Sequence, residues 1–98
     1  MNKIEPQQVG DIIQEVFERA GQKDNADRYR ALVNWGNIVG SGVNRLTTRR
    51  YVTEQGVMHV YISSASVKQE LMFRREQLVR ELNVYAGALD AIKELVIH

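Results

Sequence analysis

Residues 47–63 read TTRRYVTEQGVMHVYIS, and the period of this stretch decides the fold. Two runs, 47–54 and 57–63, are rich in β-branched and aromatic residues and tend to alternate, as half-buried strands do. Gln55-Gly56 between them suits a two-residue hairpin turn, with Gly56 supplying the positive φ. That turn predicts Tyr51 opposite Val60, Val52 opposite His59 and Thr53 opposite Met58. One face then carries Tyr51, Met58, Val60 and Ile62 toward a core. The other carries Arg50, Val52, His59 and Tyr61, and an antiparallel sheet can leave that face wet.

Outward from the hairpin the period becomes helical. On the N-terminal side, Val9, Ile12, Ile13, Val16, Phe17 and Ala20 form one apolar stripe, with Pro6 suited to its start and Gly21 to its end. A second helix starts near Asp24 or Asn25, both good N-caps. It presents a wide apolar arc of Tyr29, Leu32, Val33 and Val39, flanked by Ala31, Trp35 and Ile38. Gly36, Gly40 and Gly42 weaken it, and periodicity alone leaves its end open. On the C-terminal side, Ser64 or Ser66 caps a long third helix, with Ser66 and Gln69 in capping-box spacing. Val67, Leu71, Leu78 and Leu82 form its stripe, joined by Met72 and Val79. Glu70/Arg74 and Glu76/Arg80 are spaced as i, i+4 ion pairs. The helix closes over residues 83–87, and Leu95-Val96-Ile97 reads as a third strand. The order is α-α-β-β-α-β, an α+β domain.

Ninety-eight residues, 44% of them apolar, make one domain over residues 1–98 with a core of its own. The chain has no cysteine, which excludes disulfides and thiolate metal sites. Its two histidines, His59 and His98, lie far apart in sequence without metal-motif spacing. No apolar run approaches the ~18–20 residues of a membrane span, and the first ten residues lack a signal-peptide core, so a cytoplasmic protein is expected. The serines Ser63, Ser64 and Ser66 sit where a helix cap is needed, outside any nucleophile elbow. No glycine-rich phosphate loop or catalytic constellation is present, so no enzyme activity, metal or cofactor is expected.

The net charge of +1 hides an uneven distribution. Residues 41–80 carry seven basic and three acidic side chains, while the segments on either side are slightly acidic. A local basic excess of this kind favours contact with a polyanion. Phe73 falls off the leucine stripe of the third helix, beside Arg74. It is therefore either covered by a second packing surface or exposed as an anchor for a partner.

Trp35-x-x-Ile38-Val39-Gly40 is followed by Thr47-Thr48 and the hairpin with Gly56 at its turn. Val60-Tyr61-Ile62-Ser63-Ser64 then leads to Glu70-Leu71, Arg75-Glu76-Gln77-Leu78, Leu82-Asn83 and Gly87. In order and spacing this set resembles the DciA-like family over nearly the whole chain, from about Gln8 to Ile97. The resemblance implies a KH-like fold, with helices packed on one face of a three-stranded sheet. It also implies that the helix bearing Trp35 runs past Gly40 toward Leu46. For function it implies a bacterial DNA-replication factor that binds single-stranded DNA and the replicative helicase and promotes helicase loading. Longer members carry a C-terminal tail used in helicase contact, and no such tail is expected here.

On this reading Arg45, Arg49, Arg50, Lys68, Arg74 and Arg75 contact phosphates, making binding salt-dependent and weakly sequence-selective. Tyr61 and His59, placed beside Arg50 on the wet face, are positioned to stack on bases. Phe73 is the candidate partner contact. Two other readings stay open: a KH-like RNA-binding domain, and a protein-interaction module without a helicase role.

Overall fold

The structure is a computed structural model and describes residues 23–98. The first predicted helix, from Pro6 to Gly21, lies outside the described residues. The described elements are α1 (Lys23–Val33), α2 (Trp35–Val39), α3 (Ser41–Leu46), β1 (Thr47–Val52), β2 (Val57–Ile62), α4 (Ala65–Phe73), α5 (Arg75–Ala86) and β3 (Glu94–Ile97). The three strands form one mixed sheet in the order β1-β2-β3, with β1 antiparallel and β3 parallel to the central β2. The α+β class and the element order follow the sequence reading.

The strand β2 alternates strictly. Met58, Val60 and Ile62 are buried, while Val57, His59 and Tyr61 between them are half-buried. Leu95 of β3 pairs with Met58 and is buried with it. These side chains meet Ala31, Leu32 and Trp35 of α1 and α2, Leu71 of α4, Leu78, Leu82 and Ala86 of α5, and Ile92, in one apolar cluster. The helices therefore lie on one face of the sheet. Among the described residues no helix is long and apolar enough to cross a membrane.

The hairpin departs from its predicted register by one residue. The Val57 carbonyl accepts from the Thr53 amide at 2.9 Å, and the Thr53 carbonyl accepts from the Gly56 amide at 3.0 Å. The loop is thus Glu54-Gln55-Gly56, three residues with Gly56 at φ +87°. A three-residue hairpin loop places its left-handed residue last, which is where Gly56 stands. The partners become Arg50 with Val60, Tyr51 with His59, and Val52 with Met58. A shift of one residue turns a strand over. Tyr51 leaves the predicted core face for the open face, while Arg50 and Val52 move to the helix side. A bulge at Thr48 separates Thr47 from the rest of the ladder.

Both predicted long helices are broken. The chain stays helical as far as Leu46, as the resemblance implied, but not continuously. It breaks at Asn34 and again at Gly40, where φ +92° and ψ 162° are open only to glycine. The segments are tied by side chains. Trp35 is fully buried, and its indole N–H donates to Thr47 Oγ1 at 3.0 Å, whose hydroxyl donates to the Val43 carbonyl at 2.9 Å. The predicted third helix breaks at Arg74 (φ −101°, ψ 14°) into α4 and α5. Ser64, not Ser66, is its N-cap, accepting from the Val67 amide. Met72 and Val33, counted with the apolar stripes, are exposed instead. Glu70/Arg74 and Glu76/Arg80 do not close as ion pairs; among the described residues Arg30 pairs with Asp27.

The end of α5 is fixed from two sides. Gly87 caps it in the left-handed conformation at φ +78°. Arg30 of α1 donates to the Ala86 carbonyl at 2.8 Å, a cation at a helix C-terminus. Asn83 then holds the approach to β3, its amide bonding both the carbonyl and the N–H of Ile92, at 3.0 and 2.7 Å.

Two glycines test this account. A Cβ at Gly56 would lie 2.9 Å from the Ala91 carbonyl oxygen and would carry a positive φ. Gly56→Ala is expected to lower the unfolding free energy by about 1–3 kcal/mol. Gly42 lies in α3 with nothing within 4 Å of its would-be Cβ. Gly42→Ala is expected to raise stability by roughly 0.5–1 kcal/mol. Urea unfolding of the two variants checks both signs, and equal effects would contradict the turn geometry.

Candidate nucleic-acid interface

The face of the sheet opposite the helices is set by the corrected register. Across the three strands Tyr51, His59 and Val96 form one row. Arg49 and Tyr61 form the next, which His98 joins because its N–H donates to the Val60 carbonyl and its carbonyl accepts from the Ile62 amide. Val57 and Glu94 pair one row further along.

Four rings pack on this face. Tyr51 stacks on His59 with centroids 4.7 Å apart and planes 12° from parallel. His98 stacks on Tyr61 at 4.2 Å and 9°, and on His59 at 5.1 Å and 20°. Tyr51 and Tyr61 are 6.4 Å apart. Near-parallel rings this close overlap face to offset face rather than lying flat side by side. The cluster therefore turns ring edges and polar tips outward. One link is a hydrogen bond between His59 Nδ1 and His98 Nε2 at 2.9 Å. The Arg49 guanidinium lies 4.9 Å from the Tyr51 centroid and 5.5 Å from that of Tyr61, within cation–π range of both.

The Tyr51 hydroxyl is raised above its ordinary pKa of 10.0. A hydrogen bond with the Tyr61 hydroxyl is the main cause, helped by desolvation and by the charge of an ionised Tyr61, and opposed by Arg49.

Of the predicted contacts, Arg49, His59 and Tyr61 meet on this face. Arg50 does not. It lies on the helix side, where its Nη1 donates to Asn44 Oδ1 at 3.1 Å. Its Nε is buried with no partner, and burial lowers its pKa. Arg45 is exposed on the last turn of α3, just ahead of β1. Lys68, Arg74 and Arg75 belong to the helical layer on the other side of the sheet: Lys68 on α4, Arg74 at the break, Arg75 opening α5. The six cations thus do not share one face. Phe73, at the end of α4, is 84% exposed and lines a shallow hollow with Ala65, Lys68, Gln69 and Met72.

Sequence reasoning missed two members of the cluster. The predicted register puts Tyr51 in the core, one residue out of step with its observed place opposite His59. His98 carried a usable signal, since it continues the outward alternation of β3 two residues beyond Val96. Among the described residues no group of three or more histidines or carboxylates could hold a metal ion.

The face can offer a polyanion one guanidinium, imidazole and phenol donors, and ring surface at the margins of the stack. A sequence-family model described as "Dna[CI] antecedent, DciA" matches residues 8–97. No curated protein matches the chain.

The coupling of the two phenols has a spectroscopic consequence. In a tyrosinate absorbance titration Tyr51 is expected to ionise above the ordinary value of 10.0, and Tyr61→Phe to bring it back down. Since the fold favours the neutral phenol, this contribution to stability holds below the ordinary value. It is lost as pH rises through the raised one. An unshifted titration in the unsubstituted protein would contradict the contact.

Proposed function

The chain belongs to the DciA family, and on that premise we propose that it is an accessory factor of bacterial DNA replication that binds single-stranded DNA on its open sheet face and assists the replicative helicase. The family's description, as antecedent of Dna[CI], links it by name to DNA replication. The observation that carries the binding role is the Arg49 guanidinium over Tyr51 and Tyr61 beside the His59–His98 pair. Arg49 meets a phosphate, and the rings meet bases. Bases are reachable by rings only when they are not paired inside a duplex, so an aromatic sheet face selects single strands. The choice of DNA over RNA rests on the family. No catalytic step and no cofactor belong to this reading, and its setting is the cytoplasm.

The helicase contact is assigned to the opposite side of the molecule. Phe73 and Met72 are exposed there beside Lys68 on α4, and nucleic acid on the sheet face leaves them free. The same exposure favours the second reading, a protein-interaction module that docks through Phe73 without binding DNA.

Fluorescence anisotropy of a labelled single-stranded oligonucleotide separates the two. Binding is expected to weaken with salt, and Arg49→Ala to cost about tenfold in affinity and to reduce the salt slope by about one. Arg50→Ala is expected to cost less than Arg49→Ala, because Arg50 is held on the helix side by Asn44. Equal losses would contradict the interface, and no binding at low salt would leave the protein-interaction reading. On the other face, Phe73→Asp is expected to weaken capture of the helicase; an unchanged affinity would remove Phe73 from the contact.

A further inference from the structure

The protein's two histidines touch each other. A hydrogen bond between two imidazole nitrogens needs an N–H on one and a bare lone pair on the other. The His59–His98 contact at 2.9 Å therefore exists only while at least one of the two rings is neutral. A further proton on the bare nitrogen would set two N–H groups against each other and part the rings.

The surroundings decide when that proton is accepted. From β1 the pair faces Arg49 and Tyr51; from β2, Tyr61; from β3, Val96 and, beyond it, Glu94. Arg49 already places one cation on this face. Among the described residues the sheet brings Glu94 to this face, but it sits opposite Val57, one row from His59, and ion-pairs with neither ring. Among the described residues no carboxylate side chain ion-pairs with either ring, so a doubly protonated pair beside Arg49 would have no paired side-chain anion there. A phosphodiester is an anion whose oxygens only accept, so it satisfies two imidazolium N–H groups where one imidazole satisfies the other now.

We propose that single-stranded nucleic acid binds this face with net uptake of protons from solvent by the His59–His98 pair, the proton that leaves neither ring neutral breaking the inter-histidine hydrogen bond and the backbone phosphate replacing it. The inference rests on the single-strand reading of the open face and specifies its regulation. It also explains how a closed stack admits a base. His98 covers Tyr61 at 4.2 Å, and parting the histidines uncovers that ring. Because the complex holds more protons than its separated components, affinity rises as pH falls. The limit is about tenfold per pH unit for one proton.

The test uses oligothymidylate, whose bases do not titrate in the histidine range, titrated into the full chain by anisotropy at fixed ionic strength. Histidine changes charge between about pH 5 and 8, so affinity is compared at about pH 6 and about pH 8. The unsubstituted protein is expected to bind about fivefold or more tightly at the lower pH. His98→Gln, whatever its absolute affinity, is expected to show a clearly shallower pH dependence, because only one imidazole is left to take up a proton. The two imidazole signals, followed by NMR, are expected to titrate at higher pH with the oligonucleotide bound. Binding that does not change with pH, or a pH dependence that persists unchanged in His98→Gln, overturns the proton uptake and leaves the single-strand reading standing. No binding at any pH overturns both.

Discussion

The turn at Gly56 constrains everything that follows it in space. Its carbonyl accepts from the Lys93 amide at 2.8 Å, and its α-carbon lies so close to the Ala91 carbonyl that a side chain would collide. The turn thus joins β1 to β2 and also receives the incoming end of β3. Once Gly56 is docked there in its left-handed conformation, the loop holds three residues and the register has no freedom. That register puts Val52 over Met58 on the helix side and Tyr51 over His59 on the open side. Both the core and the aromatic cluster are consequences of one loop length.

This dependence explains what could be read from the sequence. The strands, their order and the helical stripes were legible because burial is written in their period: Met58, Val60 and Ile62, or Leu71, Leu78 and Leu82. The loop length was not, because Gln55-Gly56 fits a two-residue turn locally as well as the last two positions of a three-residue one. The choice between them depends on contacts with Ala91 and Lys93, more than thirty residues on. The one-residue slip predicts Arg50 and Val52 on the open face and Tyr51 in the core, while Arg49, His59 and Tyr61 are still read as contacts. His59 and Tyr61 were placed correctly because they lie on β2, whose own alternation needs no partner.

The helix breaks have a common physical form. At Gly40 a glycine-only conformation turns the chain while hydrogen bonds continue on both sides, from Gly40 to the Gly36 carbonyl and from Asn44 to that of Gly40, each at 2.9 Å. At Arg74 (φ −101°, ψ 14°) the break separates α4 from α5, and both contribute leucines to the core. Local propensity marks glycine as a weak point but does not say whether a helix bends or ends there. The Trp35–Thr47 bond shows what tertiary structure adds, since it fixes the broken helix to the first residue of β1.

The two faces of the sheet divide the work between adjacent residues of β1. Arg50 faces the helices, partly desolvated and held by one amide, and Arg49 faces outward over two phenol rings. A guanidinium buried without a carboxylate gains little as a ligand contact, because its desolvation has already been incurred and its reach is fixed by Asn44. A guanidinium over exposed rings stays hydrated at its edge, and the rings hold it in place without neutralising it. Only the second is turned toward the open face, where the proposed phosphate contact lies. On the proposed reading, contact with a polyanion therefore depends less on the count of basic residues between 41 and 80 than on which side of a three-stranded sheet each one is turned.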